Sequence, residues 1–332
     1  MTIAVVILNW NGRALLERYL PGVVANSPQA NIYVADNASN DDSVQYLRET
    51  FPTVSIIQNQ TNAGYAGGYN QALSQLQEEL FVLLNSDVAV TENWLAPIIK
   101  AFQDRPELVA AQPKILDDKR PERFEYAGAA GGFIDMLGYP YCRGRLFDSL
   151  EEDHGQYDAN ADIFWASGAC LIVRRQAFES VGGLDTDLFA HQEEIDLCWR
   201  LQNGGGRVAC IGAAKVYHLG GATLAQADPK KTYLNFRNSL LVLYKNVGGF
   251  KYYPLLFIRL CLDGLAGIRF LLQGKPGHTW AVLHGHFGFY RRIPRFYPKR
   301  KKWATGRNYF KIKSVVWQYF FLKRRNFNQL DK

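Results

Sequence analysis

The sequence predicts an α/β fold organised around a mostly parallel central sheet, and three observations carry the prediction. Short, continuous apolar runs alternate with helix-length segments over roughly the first 110 residues, the pattern of strands buried on both faces by crossover helices. Polar clusters follow the first, second and fourth of those runs, and open α/β sheets bind ligands beyond the carboxyl ends of their strands. Hydrophobic residues make up 48% of the 332 and charged residues 21%, which excludes a disordered, coiled-coil or collagen-like chain. At roughly 150 residues per domain, the length allows two domains, or one large α/β domain with an appendix.

The elements follow in order. Residues 3–8 are an apolar run broken by Asn9-Trp10-Asn11-Gly12, and 13–24 continue as a helix. Residues 31–35 form a second strand ending in the polar loop 36–42. The Asp, Asn and Ser residues of that loop suit the start of a helix over 43–49. Residues 54–57 are a third strand, 62–70 a Gly-rich loop entering a helix that reaches 76, and 80–84 a fourth strand stopped by Asn85-Ser86-Asp87. Residues 120–162 lose periodicity and are rich in Gly and Tyr, so loops and short antiparallel strands are expected. Regularity returns with a strand over 168–173 and a helix near 175–181. A helix over 193–202 is halted by Gly204-Gly205-Gly206, and a short strand over 208–211 and a helix over 228–244 follow.

The net charge of +7 conceals an asymmetry. Residues 251–332 hold 18 Lys and Arg against two acids, Asp263 and Asp331, whereas the rest of the chain holds 20 bases and 29 acids. Such a segment suits an anionic surface, either nucleic acid or lipid. On a helical wheel Lys251, Arg259, Asp263 and Arg269 share an arc of roughly 120°, leaving the remainder of 253–273 apolar. Residues 287–302 interleave aromatics with Arg and Lys, so an interfacial helical tail is expected. The long charge-free window, 50–77, is polar and Gly-rich rather than apolar, so no transmembrane helix is expected. The apolar start lacks a preceding basic stretch and reads as a core strand, not a signal peptide. Five cysteines without a CxxC pair disfavour a disulfide framework or a cysteine-rich zinc site and fit a reducing cytosol.

Four clusters carry chemistry. The first pairs Asn9-Trp10-Asn11-Gly12 with Asp36-Asn37-Ala38-Ser39 at two strand ends; an ordinary turn and a helix cap at Asp36 fit as well. The second is Asn62-Ala63-Gly64-Tyr65-Ala66-Gly67-Gly68-Tyr69-Asn70, where glycines allow backbone to approach a diphosphate and a helix N-terminus favours an anion. The third is Asn85-Ser86-Asp87, whose carboxylate is a preferred ligand for a hard divalent cation. The fourth is His191-Gln192-Glu193-Glu194-Ile195-Asp196-Leu197. Adjacent carboxylates raise one another's pKa, which suits a general base near neutral pH; a solvated acidic first turn is the plainer reading. Arg237 suits bidentate phosphate binding, or is simply a surface residue.

Together these clusters resemble glycosyltransferase family 2, with its nucleotide-sugar-binding GT-A fold, and within it the bacterial rhamnosyltransferase-type members. The resemblance runs from Val5 to about Asn238. It implies a GT-A domain over 1–248, with a nucleotide-binding half to about 115 and an acceptor half beyond, followed by a basic, aromatic-rich membrane-associating segment over 249–332. Asn9, Asn11, Asp36, Asn62, Gly64, Gly67, Asn70, Asn85, Ser86, Asp87 and Arg237 would then bind the nucleotide sugar. Asp87, joined by His218 of the Val-Tyr-His-Leu-Gly-Gly stretch, would hold Mg2+ or Mn2+; a satisfied structural imidazole is the alternative for His218. Asn85 stands where the family's metal motif carries its first Asp. Glu194 or Glu193, with Asp196 beside them, would supply the catalytic base; Glu194 replaces the usual Asp. Trp165, Gly168 and Ala169 would line the acceptor side, although Trp165 equally fits a core.

The implied activity is inverting transfer of a sugar from dTDP-rhamnose or a UDP-hexose to a saccharide or lipid-linked acceptor of cell-surface polysaccharide. The implied place is the cytoplasmic face of the inner membrane. A membrane-bound nucleotide-sugar-binding scaffold that has lost catalysis is the competing expectation, motivated by Asn85 and Glu194. No nucleic-acid motif is found.

Overall fold

The computed structural model describes residues 1–220 and 228–330. The chain begins as a run of βα units: β1 (Ile3–Asn9), α1 (Arg13–Asn26), β2 (Asn31–Asp36), α2 (Ser43–Thr50), β3 (Ser55–Gln58), α3 (Gly64–Leu73) and β4 (Leu80–Asn85). Then come β5 (Val88–Val90), α4 (Leu95–Asp104) and the long β6 (Leu108–Asp117). The aperiodic middle is four short strands, β7 (Gly132–Ile134), β8 (Pro140–Cys142), β9 (Arg145–Leu146) and β10 (Ser149–Leu150), which make a small antiparallel sheet. β11 (Ala161–Asp162), β12 (Cys170–Arg174), α5 (Arg175–Ser180), α6 (Glu193–Asn203) and β13 (Arg207–His218) follow. Three helices follow: α7 (Pro229–Asn246), α8 (Tyr252–Leu272) and α9 (Pro276–Trp303).

The large sheet has the order β11-β13-β6-β12-β4-β1-β2-β3, with β5 against β13. β1 pairs in parallel with β2 and β4, β2 with β3, and β6 with β13, whereas β12 runs antiparallel between β4 and β6. The carboxyl ends of β1, β2, β4, β6 and β13 therefore share one edge, and the start of β12 lies there too. Val5, Val6, Val82, Leu83 and Ile172 are fully buried, as their unbroken apolar runs require of a sheet covered on both faces.

Three expectations change. The Gly-rich stretch is the first turns of α3; its glycines let the helix settle onto the sheet, Gly68 lying where a Cβ would press on Leu8 and Asn37. The strand expected over 208–211 runs twelve residues, because a register shift between Ile211 and Lys215 lets the small Gly212, Ala213 and Ala214 bulge before pairing with β6 resumes. In α8 the charged arc divides: Lys251 and Arg269 stay exposed, but its middle does not face water. Arg259 and Asp263 point into the body as a 2.9 Å ion pair. Arg259 also donates to the carbonyl of Leu137 at 3.0 Å and to Ser239 Oγ at 2.8 Å, and the Tyr139 hydroxyl donates to Asp263 at 2.8 Å. The apolar side faces outward. The segment from 249 onward also feeds the core: Phe289, Phe296, Ile312, Val315 and Phe327 are buried in the same cluster as the sheet's inner face.

Candidate functional site

The polar ends of β1 and β2 are knitted together before any ligand arrives. Asn9 is fully buried; its amide donates to Asp36 at 3.1 Å and to Ser39 Oγ at 3.2 Å, while its Oδ1 is buried without a partner. Asp36 also accepts from the Ser39 amide at 3.1 Å. Asn11, held at φ 50°, accepts from the amide of Asn40 at 2.7 Å. Asn62 accepts from Asn37 at 2.9 Å and from the Gly64 amide at 3.0 Å, so the first and second clusters form one wall. Asn70 is committed elsewhere, exchanging two hydrogen bonds with the backbone of Leu184 at 2.8 and 3.0 Å. Gly64, at φ +71°, and Gly67 face Phe189 and Thr186. These three predicted nucleotide residues join α3 to the loop before α6.

Asp87 and His218 lie side by side. β5 and β13 pair His218 with Val88, which sets the imidazole Nε2 3.1 Å from Asp87 Oδ1 and 3.5 Å from the Asn85 amide. The other ring nitrogen lies 3.4 Å from Glu125, a buried carboxylate that also accepts from the Ala127 amide at 2.5 Å. Burial opposes a proton on His218, but its hydrogen bonds to Asp87 and Glu125 push its pKa up to about 10. Among the described residues no three His, Cys, Asp or Glu side chains form a complete metal cluster. The pair nevertheless fits a divalent ion: a 3.1 Å spacing matches the edge of an octahedron of about 2.1 Å bonds. A carboxylate behind the second ring nitrogen is how ligand histidines are oriented. Glu125 lies in the aperiodic middle, where no spacing signalled it. Gly221, which closes the Val-Tyr-His-Leu-Gly-Gly stretch, lies outside the described residues.

The acidic cluster divides into three fates. Glu194 is half-buried on the first turn of α6. Burial pushes its carboxyl up to about 7, against the pull of neighbouring backbone amides. Glu193 is buried with one oxygen unpartnered; burial and the charge of Glu194 push it well above the usual range. Asp196 is not available for catalysis. It is fully buried, paired with Arg200 at 2.8 Å and Lys245 at 2.9 Å, and accepts from Asn246 at 3.1 Å. Its burial would raise the pKa, yet the Arg200 and Lys245 charges hold it well below the usual range.

The loop leading to this pair is tightly wound. Phe189, His191 and Gln192 all adopt positive φ, at 66°, 68° and 75°, a costly conformation kept where surroundings impose it. The imposing groups are Asn238, whose amide donates to the carbonyls of Leu188, Ala190 and His191 at 2.7–2.9 Å, and Arg237, which donates to Leu188 at 3.0 Å. Arg237 is thus a buried brace, in place of the expected diphosphate ligand. Trp165 is likewise core, 3% exposed, with its indole N–H on the Phe133 carbonyl at 3.0 Å. Ala169 is buried and serves through its carbonyl, which receives the Asn85 amide at 3.0 Å. Gly168 remains partly open and accepts from the Tyr65 hydroxyl at 2.7 Å. Tyr65 lies in the field of Glu193 and Glu194 and stacks edgewise on Tyr69. It bridges the Gly-rich stretch to the carboxylates, a role the sequence reading did not give it. Asp87 and Asn85 meet at His218, and Tyr65 and Gly168 lie near the glutamate pair, whose charge Tyr65 senses.

Comparison with known proteins bears on the family and the fold. The chain is 27% identical over 233 residues to the N-acetylglucosaminyl-diphospho-decaprenol L-rhamnosyltransferase of Mycobacterium tuberculosis (strain CDC 1551 / Oshkosh), covering 64% of this chain and 75% of the relative. It is 21% identical to a low-salt glycan biosynthesis hexosyltransferase of Haloferax volcanii over 85% and 90% of the two chains. Among solved structures, GalNAc-T7 with UDP, GalNAc and Mn2+ superposes with a TM-score of 0.59 at 16% identity, over 97% of this chain and 56% of that one. A mannosyltransferase of Pyrobaculum calidifontis with GDP-Man and Mn2+ gives 0.54 at 15%, over 87% and 86%. These likenesses establish the GT-A fold. The profile of Glycosyl transferase family 2 matches residues 4–182, more than half of the chain, and the chain belongs to that family.

Proposed function

We propose that the protein is an inverting glycosyltransferase that moves a hexose or deoxyhexose from a nucleotide-sugar donor, dTDP-rhamnose or a UDP-hexose, to a saccharide or lipid-linked acceptor in cell-surface polysaccharide synthesis. The observation that carries the reading is the glutamate pair at the start of α6, one member half-exposed with a pKa near 7, on the same sheet edge as the Asp87–His218 pair. Glu194 takes the proton of the acceptor hydroxyl as that oxygen attacks the anomeric carbon. The nucleoside diphosphate leaves from the opposite face, so the configuration inverts. A base with a pKa near the working pH is the efficient choice. Buried Glu193, kept neutral by its surroundings, limits the local negative charge. Asp87 and His218, the latter as a neutral imidazole, would hold Mg2+ or Mn2+, which would offset charge on the departing diphosphate. The mycobacterial relative's name, with its rhamnosyl product on a diphospho-decaprenol carrier, favours dTDP-rhamnose and a lipid-linked acceptor. We place the enzyme peripherally on the cytoplasmic face of the inner membrane; among the described residues no helix is long and apolar enough to cross a membrane.

The test is a panel of nucleotide sugars scored by thermal shift with and without Mn2+, followed by turnover with Glu194→Gln. A metal-dependent shift with one donor and turnover lost in Glu194→Gln support the reading. Donor binding without turnover in the unaltered protein would favour the scaffold instead.

A further inference from the structure

The outward face of the α8–α9 hairpin carries a row of exposed large apolar side chains. Tyr253, Phe257, Ile258, Leu265, Ile268 and Leu272 are all exposed, Phe257 by 69% and Leu272 by 84%. At 100° per residue they fall within an arc of roughly 140°. The helices are antiparallel: Thr279 donates to the Gly267 carbonyl at 2.8 Å, and His286 lies 3.4 Å from Asp263. α9 continues the surface with exposed Trp280, Phe287 and Tyr290, then turns basic with exposed Arg291, Arg295, Lys301 and Lys302. The sequence has only two acids beyond residue 250; Asp263 is buried against Arg259, and Asp331 lies outside the described residues.

We infer that this face docks into an anionic lipid bilayer, with the hairpin lying in the interface plane and its apolar side chains inserted among the acyl chains. The inference deepens the membrane reading above by naming the surface and the mode. An apolar face whose two helices expose cations and no acid suits anionic headgroups over hydrocarbon. A second copy of the same face would bring like charges together. Exposed Trp and Tyr sit where amphipathic rings favour the headgroup level. Burying Arg259–Asp263 inward is what frees the apolar side to face lipid. The hairpin is also fastened to the catalytic loop: Lys299 reaches Asp185 and, at 2.7 Å, Asp187, and Arg295 reaches Asp187 at 2.7 Å. Docking therefore sets the loop before Glu193 and Glu194 close to the membrane, where a lipid-linked acceptor presents its sugar.

Cys261 provides the probe. It is the one exposed cysteine among five, on the outward side of α8. The full chain, labelled there with an environment-sensitive fluorophore, is mixed with phosphatidylcholine vesicles with or without phosphatidylglycerol. Expected are binding only to anionic vesicles, a blue shift, and quenching by lipids spin-labelled in the acyl chain. The pair Leu265→Glu and Ile268→Glu should weaken binding about tenfold or more with the thermal midpoint unchanged. Binding that keeps the probe in water, or that survives both substitutions but vanishes in high salt, overturns the inserted face while sparing peripheral association. Absence of vesicle binding overturns both, and a dimer formed through this face, or capture of single-stranded RNA in place of vesicles, would overturn the lipid assignment and show what covers the face.

Discussion

Three neighbouring acids on α6 have three environments, and their environments decide their work. Glu194→Gln should keep donor affinity and lower kcat by about 10²–10⁴-fold, the usual worth of a positioned base, checked by kcat and KM measured separately. Because the base acts deprotonated and burial lifts its pKa to about 7, kcat/KM should rise with pH through neutrality, to about tenfold higher at pH 8–9 than at pH 6. An acid limb near pH 4.5 would mean that the working carboxylate is not the buried pair. Asp196 behaves oppositely. Its folded-state pKa is depressed, so its contribution to stability is present above the ordinary carboxylate range near pH 4 and is lost as pH falls below it. Asp196→Asn leaves Lys245 and Arg200 buried with less negative charge and should cost about 3–5 kcal/mol, read from denaturant unfolding at neutral pH.

Elements matter here mainly through the contacts between them. α3 abuts the loop before α6 so closely that a Cβ at Gly64 would lie 2.8 Å from the Phe189 carbonyl, at a φ of +71°. Gly64→Ala should therefore destabilise by about 1–3 kcal/mol and displace Glu193 and Glu194, lowering kcat more than donor affinity. β13 brings His218 to Asp87, and the segment after β6 brings Glu125 behind the imidazole. Glu125→Gln should weaken Mn2+ binding about 10- to 100-fold, measured by paramagnetic titration. Asp87→Ala should abolish metal-dependent nucleotide binding. The βα alternation and the positions of the strand ends were legible in the sequence, since apolar runs and turn residues are local signals. The length of β13 was not, because its bulge is held by partners on β6.

For the molecule as a whole, the basic segment is at once surface and core. Phe289, Phe296, Ile312, Val315 and Phe327 are buried against the glycosyltransferase body. Burying each such side chain is worth about 1.5–3 kcal/mol, against a total stability of about 5–15 kcal/mol for a typical domain. A chain ending at Gly248 should lose cooperative unfolding; a truncated body with a sharp thermal transition would show instead that the segment is separable. Membrane contact is better probed by substitutions on the outer face of α8 than by deletion.

Apolar period and strand ends are local signals, so the α/β class and the polar carboxyl edge of the sheet were legible in the sequence; residue chemistry singled out Asp87 and the acidic first turn of α6, and only the resemblance to family 2 linked His218 to Asp87. Tertiary structure alone decided which acid is free. Asp196 meets Lys245, 49 residues away, and becomes an anchor, while Glu194 is paired with no cation among the described residues. It also turned Arg237, Asn70 and Trp165 inward, and set Glu125 behind His218. The same holds for α8. With a charged strip on a mostly apolar helix, either side can face the body. The buried carbonyl of Leu137, the Ser239 hydroxyl and the Tyr139 ring satisfied Arg259 and Asp263, so the ion pair went in and the apolar side came out. Burying charge depends on partners distant in sequence, and only the folded chain assembles them.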